Sequence, residues 1–260
     1  MNKSEKLADL RHFLARYGLP PDRPALPLMG PGGASGADAA LGGGLLPGTL
    51  HEIYATDWGA AGFAACLAIR AAAGKTLFWV RPDYEALEYG ALSATGFLEL
   101  GGDPSRLILL RAPNAAGALA AGADILACPH VGALVLELSG NPKSLDLVAS
   151  RKLAFAAAAS GVTVLLLQEG ADEMPSAAWT RWQVATAPST PGDDLDNPWG
   201  NPSFTAALVR NRLGPTGRWT LQWDPEDGFF YPPRHTQYAP HFGALAAAPA
   251  DRPAYAARAV

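Results

Sequence analysis

The sequence predicts an α/β fold: a mainly parallel sheet covered by helices on both faces and closed by an antiparallel C-terminal edge. Two observations predict it. First, five short runs, residues 50–54, 76–80, 107–110, 133–138 and 162–167, are mainly apolar, and helix-favouring segments at 62–73, 84–95, 115–127 and 144–159 separate them. Strands that are apolar on both faces and alternate with helices are what a parallel sheet with two covered faces requires. Second, beyond residue 178 the rhythm changes to strands without intervening helices, at 179–186, 204–210 and 218–223. In the last of these Trp219, Leu221 and Trp223 alternate with Arg218, Thr220 and Gln222, the period of a half-exposed antiparallel strand.

The elements follow in order along 260 residues. Residues 1–18 read as an amphipathic helix with Leu7, Leu10, Leu14 and Tyr17 on one stripe, stopped by Gly18. Residues 19–41, dense in proline and glycine, read as a linker. A core spans 42–230, and a Pro/Ala-rich tail, 231–260, is too poor in large apolar side chains to fold alone. With 49% hydrophobic residues the chain supports one substantial core. It has no run of about 18 uncharged apolar residues and no signal-like start, which reads as cytoplasmic. A net charge of −4 carries no overall footprint for nucleic acid. Cys66 and Cys128 match no metal spacing and read as reduced core thiols. The five histidines (His12, His51, His130, His235 and His241) show no paired spacing, and Ser139-Gly140 makes no nucleophile elbow. No metal or other cofactor is expected.

The order of elements and several strings resemble the RecA-like ATPase core: "GGGLLPGTLHEIY" (42–54), "TLFWV" followed by Asp83, "ALVLEL", "RKLAF", "VTVLLLQ" ending in Gln168, and "ALVRNRLGP". Together they cover about residues 40–224. Within that superfamily the chain is most similar to the bacterial inducible mutagenesis (ImuA) family. The resemblance implies a part in the SOS response, in damage-induced translesion DNA synthesis. It also implies an inactive Y-family polymerase-like partner of the ImuB type and, indirectly, an error-prone DnaE-type polymerase, with RecA or a second copy as further candidates. Two other readings stay open: a nucleotide-binding switch or weak ATPase, and a damage-induced cell-division inhibitor.

The resemblance puts the phosphate loop at "EIYATDWGAAG" (52–62). A working loop reads G-x-x-x-x-G-K-[ST], with backbone amides around the phosphates, lysine on the terminal phosphates and a hydroxyl on magnesium. Here the positions fall on Ala55, Ala60, Ala61 and Gly62, so lysine and hydroxyl are both missing. Lys75 lies at the far end of the following helix, about 15–20 Å away at 1.5 Å per residue. Asp83 stands where the family keeps a water-orienting glutamate, Glu137 where a strand-end aspartate falls, and Gln168 where a glutamine senses the terminal phosphate. These three and the amides from Trp58 to Ala61 are the expected remnant of a nucleotide site. Hydrolysis is not expected.

The loops that contact DNA in RecA-like recombinases are short here, 139–145 with one lysine, Lys143, and the acidic 169–174, so direct DNA binding is expected to be weak or indirect. Arg181, Arg210, Arg212 and Arg218 cluster in the C-terminal strands, where Trp179, Trp182 and Trp219 either join them as a basic aromatic face or fill a small core. Trp199, in the polar loop "DDLDNPWGNPS", is a candidate anchor. Leu7, Leu10, Leu14, Trp199, Arg210, Arg212 and Arg218 are therefore the expected partner-binding residues.

Overall fold

A computed structural model describes residues 23–31, 36–189 and 200–233. The expected N-terminal helix, Trp199 and residues 234–260 of the tail lie outside them.

Nine strands form one sheet in the order β3-β2-β4-β5-β1-β6-β7-β8-β9. They are β1 (Leu50–Ala55), β2 (Thr76–Pro82), β3 (Leu107–Ala112), β4 (Val131–Ser139), β5 (Thr163–Glu169), β6 (Thr180–Ala187), β7 (Ser203–Asn211), β8 (Gly217–Asp224) and β9 (Phe229–Tyr231). Pairings from β3 across to β6 are parallel, and those from β6 to β9 antiparallel. This is the predicted mixed sheet. The helices are α1 (Ala37–Ala40), α2 (Gly59–Ala72), α3 (Asp83–Tyr89), α4 (Ala94–Glu99), α5 (Ala115–Leu126) and α6 (Leu147–Ser160). The single helix expected over 84–95 is two, because Gly90 ends the first at φ 78° and the Ser93 side chain caps the second.

Side-chain alternation divides the core by face. On one face α2 packs over Ile53, Val135, Leu167 and Trp182. Phe63 of α2 meets the rings of Trp182, Phe204 and Phe230 with centroids 5.4–5.9 Å apart. On the other face α5 and α6 cover Leu50, Leu134, Leu136, Val164 and Leu166. In β8, Leu221 and Trp223 are buried and Arg218 and Thr220 exposed, as the alternation requires.

The stretch expected as a linker differs from that reading. Leu28 and Met29 are buried, Leu26 bridges Leu45, and Met29 bridges Phe230. The Asp38 carboxylate of α1 accepts both the Leu28 and Met29 amides at 2.9 Å. Proline prevented regular structure here without preventing burial; side chains from distant strands supply the contacts that the local pattern lacks. Of the two cysteines, Cys66 is buried and Cys128 exposed, so only the first is a core thiol.

Candidate functional site

At the carboxyl end of β1, only residues 56–58 separate the strand from the start of α2. The eight positions aligned with a phosphate loop, 55–62, therefore span the last residue of β1, this turn and the first turn of α2. The turn is sewn to β6. The Thr56 amide and hydroxyl both donate to the Val184 carbonyl, at 2.9 and 2.8 Å. The Asp57 carboxylate accepts the Thr186 hydroxyl at 2.6 Å, the Thr186 amide at 2.8 Å and the Gly59 amide at 2.9 Å. Burial acts to raise the Asp57 carboxyl, but these donors outweigh it and hold it below the ordinary carboxylate value. A carboxylate of the chain thus takes the first amide of α2, where a nucleotide protein presents amides to phosphate. Gly59 is required for this closeness, since a Cβ there would lie 2.4 Å from Thr186 Cγ2. Ala60 is fully buried and Ala61 packs at the core margin, so the positions of the missing lysine and its neighbour belong to the helix–sheet interface. At Gly62 a Cβ would meet the Phe204 ring at 3.4 Å, an ordinary contact, so this glycine is not required by packing. Trp58 is 73% exposed.

The three polar residues expected around a nucleotide are not gathered in one place. Asp83 opens α3 at the surface, paired with Arg111 at 2.8 Å. Glu137 points to the α2 face of β4, and Gln168 lies on the other face of β5, in register with Tyr54. The buried acid after β2 is Glu85, not Asp83, because the first residue of α3 faces water while Glu85 turns inward. Its carboxylate accepts the Ser139 amide at 2.9 Å and the Ser139 hydroxyl. Glu137 accepts Trp79 Nε1 at 2.5 Å and pairs with Arg81 at 2.9 Å, both partners buried. Burial pushes the Glu137 carboxyl up despite Trp79 and Arg81. Arg81 also donates to the Glu85 and Gly90 carbonyls. Glu169, at the end of β5, is pushed up to about 7 by burial and then by Glu137 and Glu85. Arg81, Glu85 and Glu169 were not singled out from the sequence; the one available signal was an arginine inside an otherwise apolar strand.

The two short loops close on each other. Gly140 donates to the Glu169 carbonyl at 2.7 Å, Asn141 Nδ2 to Asp172 at 3.0 Å, and the Asp172 amide to Asn141 Oδ1 at 3.1 Å. Among the described residues no group of acids, histidines and cysteines is arranged to hold a metal ion, and no helix is long and apolar enough to cross a membrane.

The crystal structure of the RadB recombinase superposes with a TM-score of 0.51 at 17% identity, covering 75% of this chain and 95% of that one. The fold is RecA-like. No protein-family model matches the chain. Protein ImuA of Caulobacter vibrioides, in strains NA1000 and ATCC 19089, is 36% identical over 141 residues. Half of the chain is thus similar to Protein ImuA. The match covers 50% of this chain and 56% of ImuA, so the chain spans little more than half the length of the curated relatives it matches.

The four arginines expected to cluster in the C-terminal strands separate. Arg181 is internal, paired with Glu52 at 2.8 Å and Glu173 at 3.0 Å, and holds segment 173–176 against the sheet. Arg218 is exposed on β8 beside Ala207. Trp182 and Trp219 lie on the α2 side of the sheet with their rings 6.2 Å apart and form no face with it; alternation along β8 sends Arg218 and Trp219 to opposite sides. Arg210 and Arg212 stay together near Trp179, with the Arg212 guanidinium 5.6 Å from the Trp179 ring centre. Leu7, Leu10, Leu14 and Trp199 lie outside the described residues.

Proposed function

We propose that the chain is a non-catalytic RecA-like adaptor in damage-induced, error-prone translesion DNA synthesis. The observation that carries the reading is the β1–α2 turn, in which Asp57 answers the leading amide of α2 and ties the turn to Thr186. Phosphoryl transfer is almost entirely positioning and charge stabilisation, and the turn has neither the lysine nor the hydroxyl that supply them. The relationship to ImuA gives the process its name. In this reading the chain docks an inactive polymerase-like subunit of the ImuB type and, through it, an error-prone DnaE-type polymerase; RecA or a second copy is the candidate for the helix carrying Leu7, Leu10 and Leu14. DNA is contacted weakly or through the partner.

Two measurements test it. Mg-ATP is expected to give no turnover and no melting shift, whereas a ligand at 100 times its Kd stabilises by about 2.7 kcal/mol. A saturable shift at sub-millimolar ATP would promote the nucleotide switch. Capture from damaged cells is expected to return polymerase subunits and to be lost on removing residues 1–18 or on Trp199→Ala, with melting nearly unchanged. Recovery of a tubulin-like division protein instead would point to the division inhibitor.

A further inference from the structure

Toward the amino end of β1 and β6, on the side of the sheet covered by α6, a cleft of about 460 Å³ opens between α6, the segment leading into β6 and the end of β7. That volume falls within the range of ligand clefts, about 300–1,000 Å³. Three guanidiniums line it, those of Arg151, Arg210 and Arg212, and no carboxylate does. The ion pairs among the described residues are made by Arg81, Arg106, Arg111 and Arg181 and by none of these three. Arg210 donates to the Ser176 carbonyl at 3.1 Å, a contact that fixes its direction without neutralising it. Loss of water around Arg212, and then repulsion from Arg210, push its guanidinium below the ordinary arginine value. Trp179, 4% exposed, also lines the cleft, and its buried Nε1–H has no acceptor among the described residues. Donors and positive charge are therefore in surplus at one place. Leu50 and the half-exposed ring of Phe155 add an apolar floor.

We propose that this cleft binds an acidic peptide segment, whose aspartate or glutamate side chains engage Arg151, Arg210 and Arg212 while a neighbouring aliphatic side chain rests on Leu50 and Phe155. The guanidinium fork matches a carboxylate in two-point contact. A nucleic-acid strand fits less well. The positive charge is gathered in a compact cleft rather than laid along a track, and the Trp179 ring is buried and already faced by Arg212, so it offers no platform for a base. This inference does not depend on the mutagenesis reading, since it rests on the cleft alone.

The test uses the full chain and three fluorescein-labelled probes, read by anisotropy at about 150 mM salt: a hexapeptide alternating aspartate and leucine, the same peptide with asparagine for aspartate, and a short oligothymidylate. Saturable binding of the acidic peptide alone is expected, weakened about tenfold by Arg151→Gln and by Arg212→Gln. Arg151 sits on the exposed side of α6, so its variant is read even if loss of Arg212 disturbs Trp179. Absence of peptide binding, equal binding of the asparagine peptide, or unchanged affinity in a folded Arg151→Gln variant would overturn the proposal. So would oligothymidylate binding that the same substitutions abolish.

Discussion

At the carboxyl end of the parallel strands Asp57 closes on Gly59 and Thr186, and Arg81 on Glu137, while at the amino end Arg151, Arg210 and Arg212 face a cleft that no carboxylate lines. Open α/β sheets bind ligands outside the carboxyl ends of their strands. In this molecule that end is the one whose buried charges are paired, although Arg81 Nε and Gln168 Nε2 find no acceptor there among the described residues, and the arginines that no carboxylate faces stand at the opposite end. Inheriting a fold does not fix where its binding chemistry lies. A site can be closed by internal bonds at one end while another end keeps charge with nothing beside it.

The comparison breaks first at Arg81. Arg81→Met should cost about 3–5 kcal/mol in denaturant unfolding, because it strands the buried Glu137 carboxylate, and adding Glu137→Gln should recover much of it. A loss under about 1 kcal/mol would show that the carboxyl end is not held by its internal pairs.

The next effect tests whether the amino end is uncompensated throughout. Next to Leu50 on β1, on the opposite face of the sheet from the cleft, His51 is fully buried, between the Thr49 and Thr180 hydroxyls at 2.7 Å, and burial pushes it down to about 4. The unfolded chain, with an ordinary histidine, takes up the proton first as pH falls. Stability is therefore present above pH 6.5 and lost between 6.5 and about 4, by about 3 kcal/mol. Glu169 runs the other way: raised to about 7, it favours the fold at low pH and loses that contribution as pH rises through about 7. The difference between the parent chain and His51→Gln across this range isolates the histidine, and a flat difference would remove His51 from the account.

Asp57→Ala should cost about 1 kcal/mol, the usual worth of a helix-capping side chain. Smallest of all, Arg151→Gln should stay within about 0.5 kcal/mol in thermal unfolding, since no ion pair among the described residues is lost. A large loss there would mean that the cleft is structural.

Much of the fold was legible because burial on both faces leaves a continuous apolar run, and β2, β4 and β5 each carry one. Strand β8 was legible in register, since one wet face imposes strict alternation. What local pattern could not give was contact across distance. Asp57 and Thr186 lie 129 positions apart, and nothing in "EIYATDWGAAG" announces that an aspartate will cap its own helix and a remote strand together. Asp83 faces water and Glu85, two residues on in the same short helix, is buried, a difference that seven helical residues are too few to announce. Strand β9 and helix α1 are too short for any period to show. The cleft combines α6 with the ends of β1 and β7, so Arg151 could not be joined to Arg210 and Arg212 before the chain was folded.

The capping aspartate has one more consequence. A switch needs two states that differ in occupancy, and the anion at the head of α2 is covalently part of the chain, present in every copy from the moment of synthesis. At the Gly59 amide the negative charge is therefore set by the sequence and not by the concentration of anything in solution.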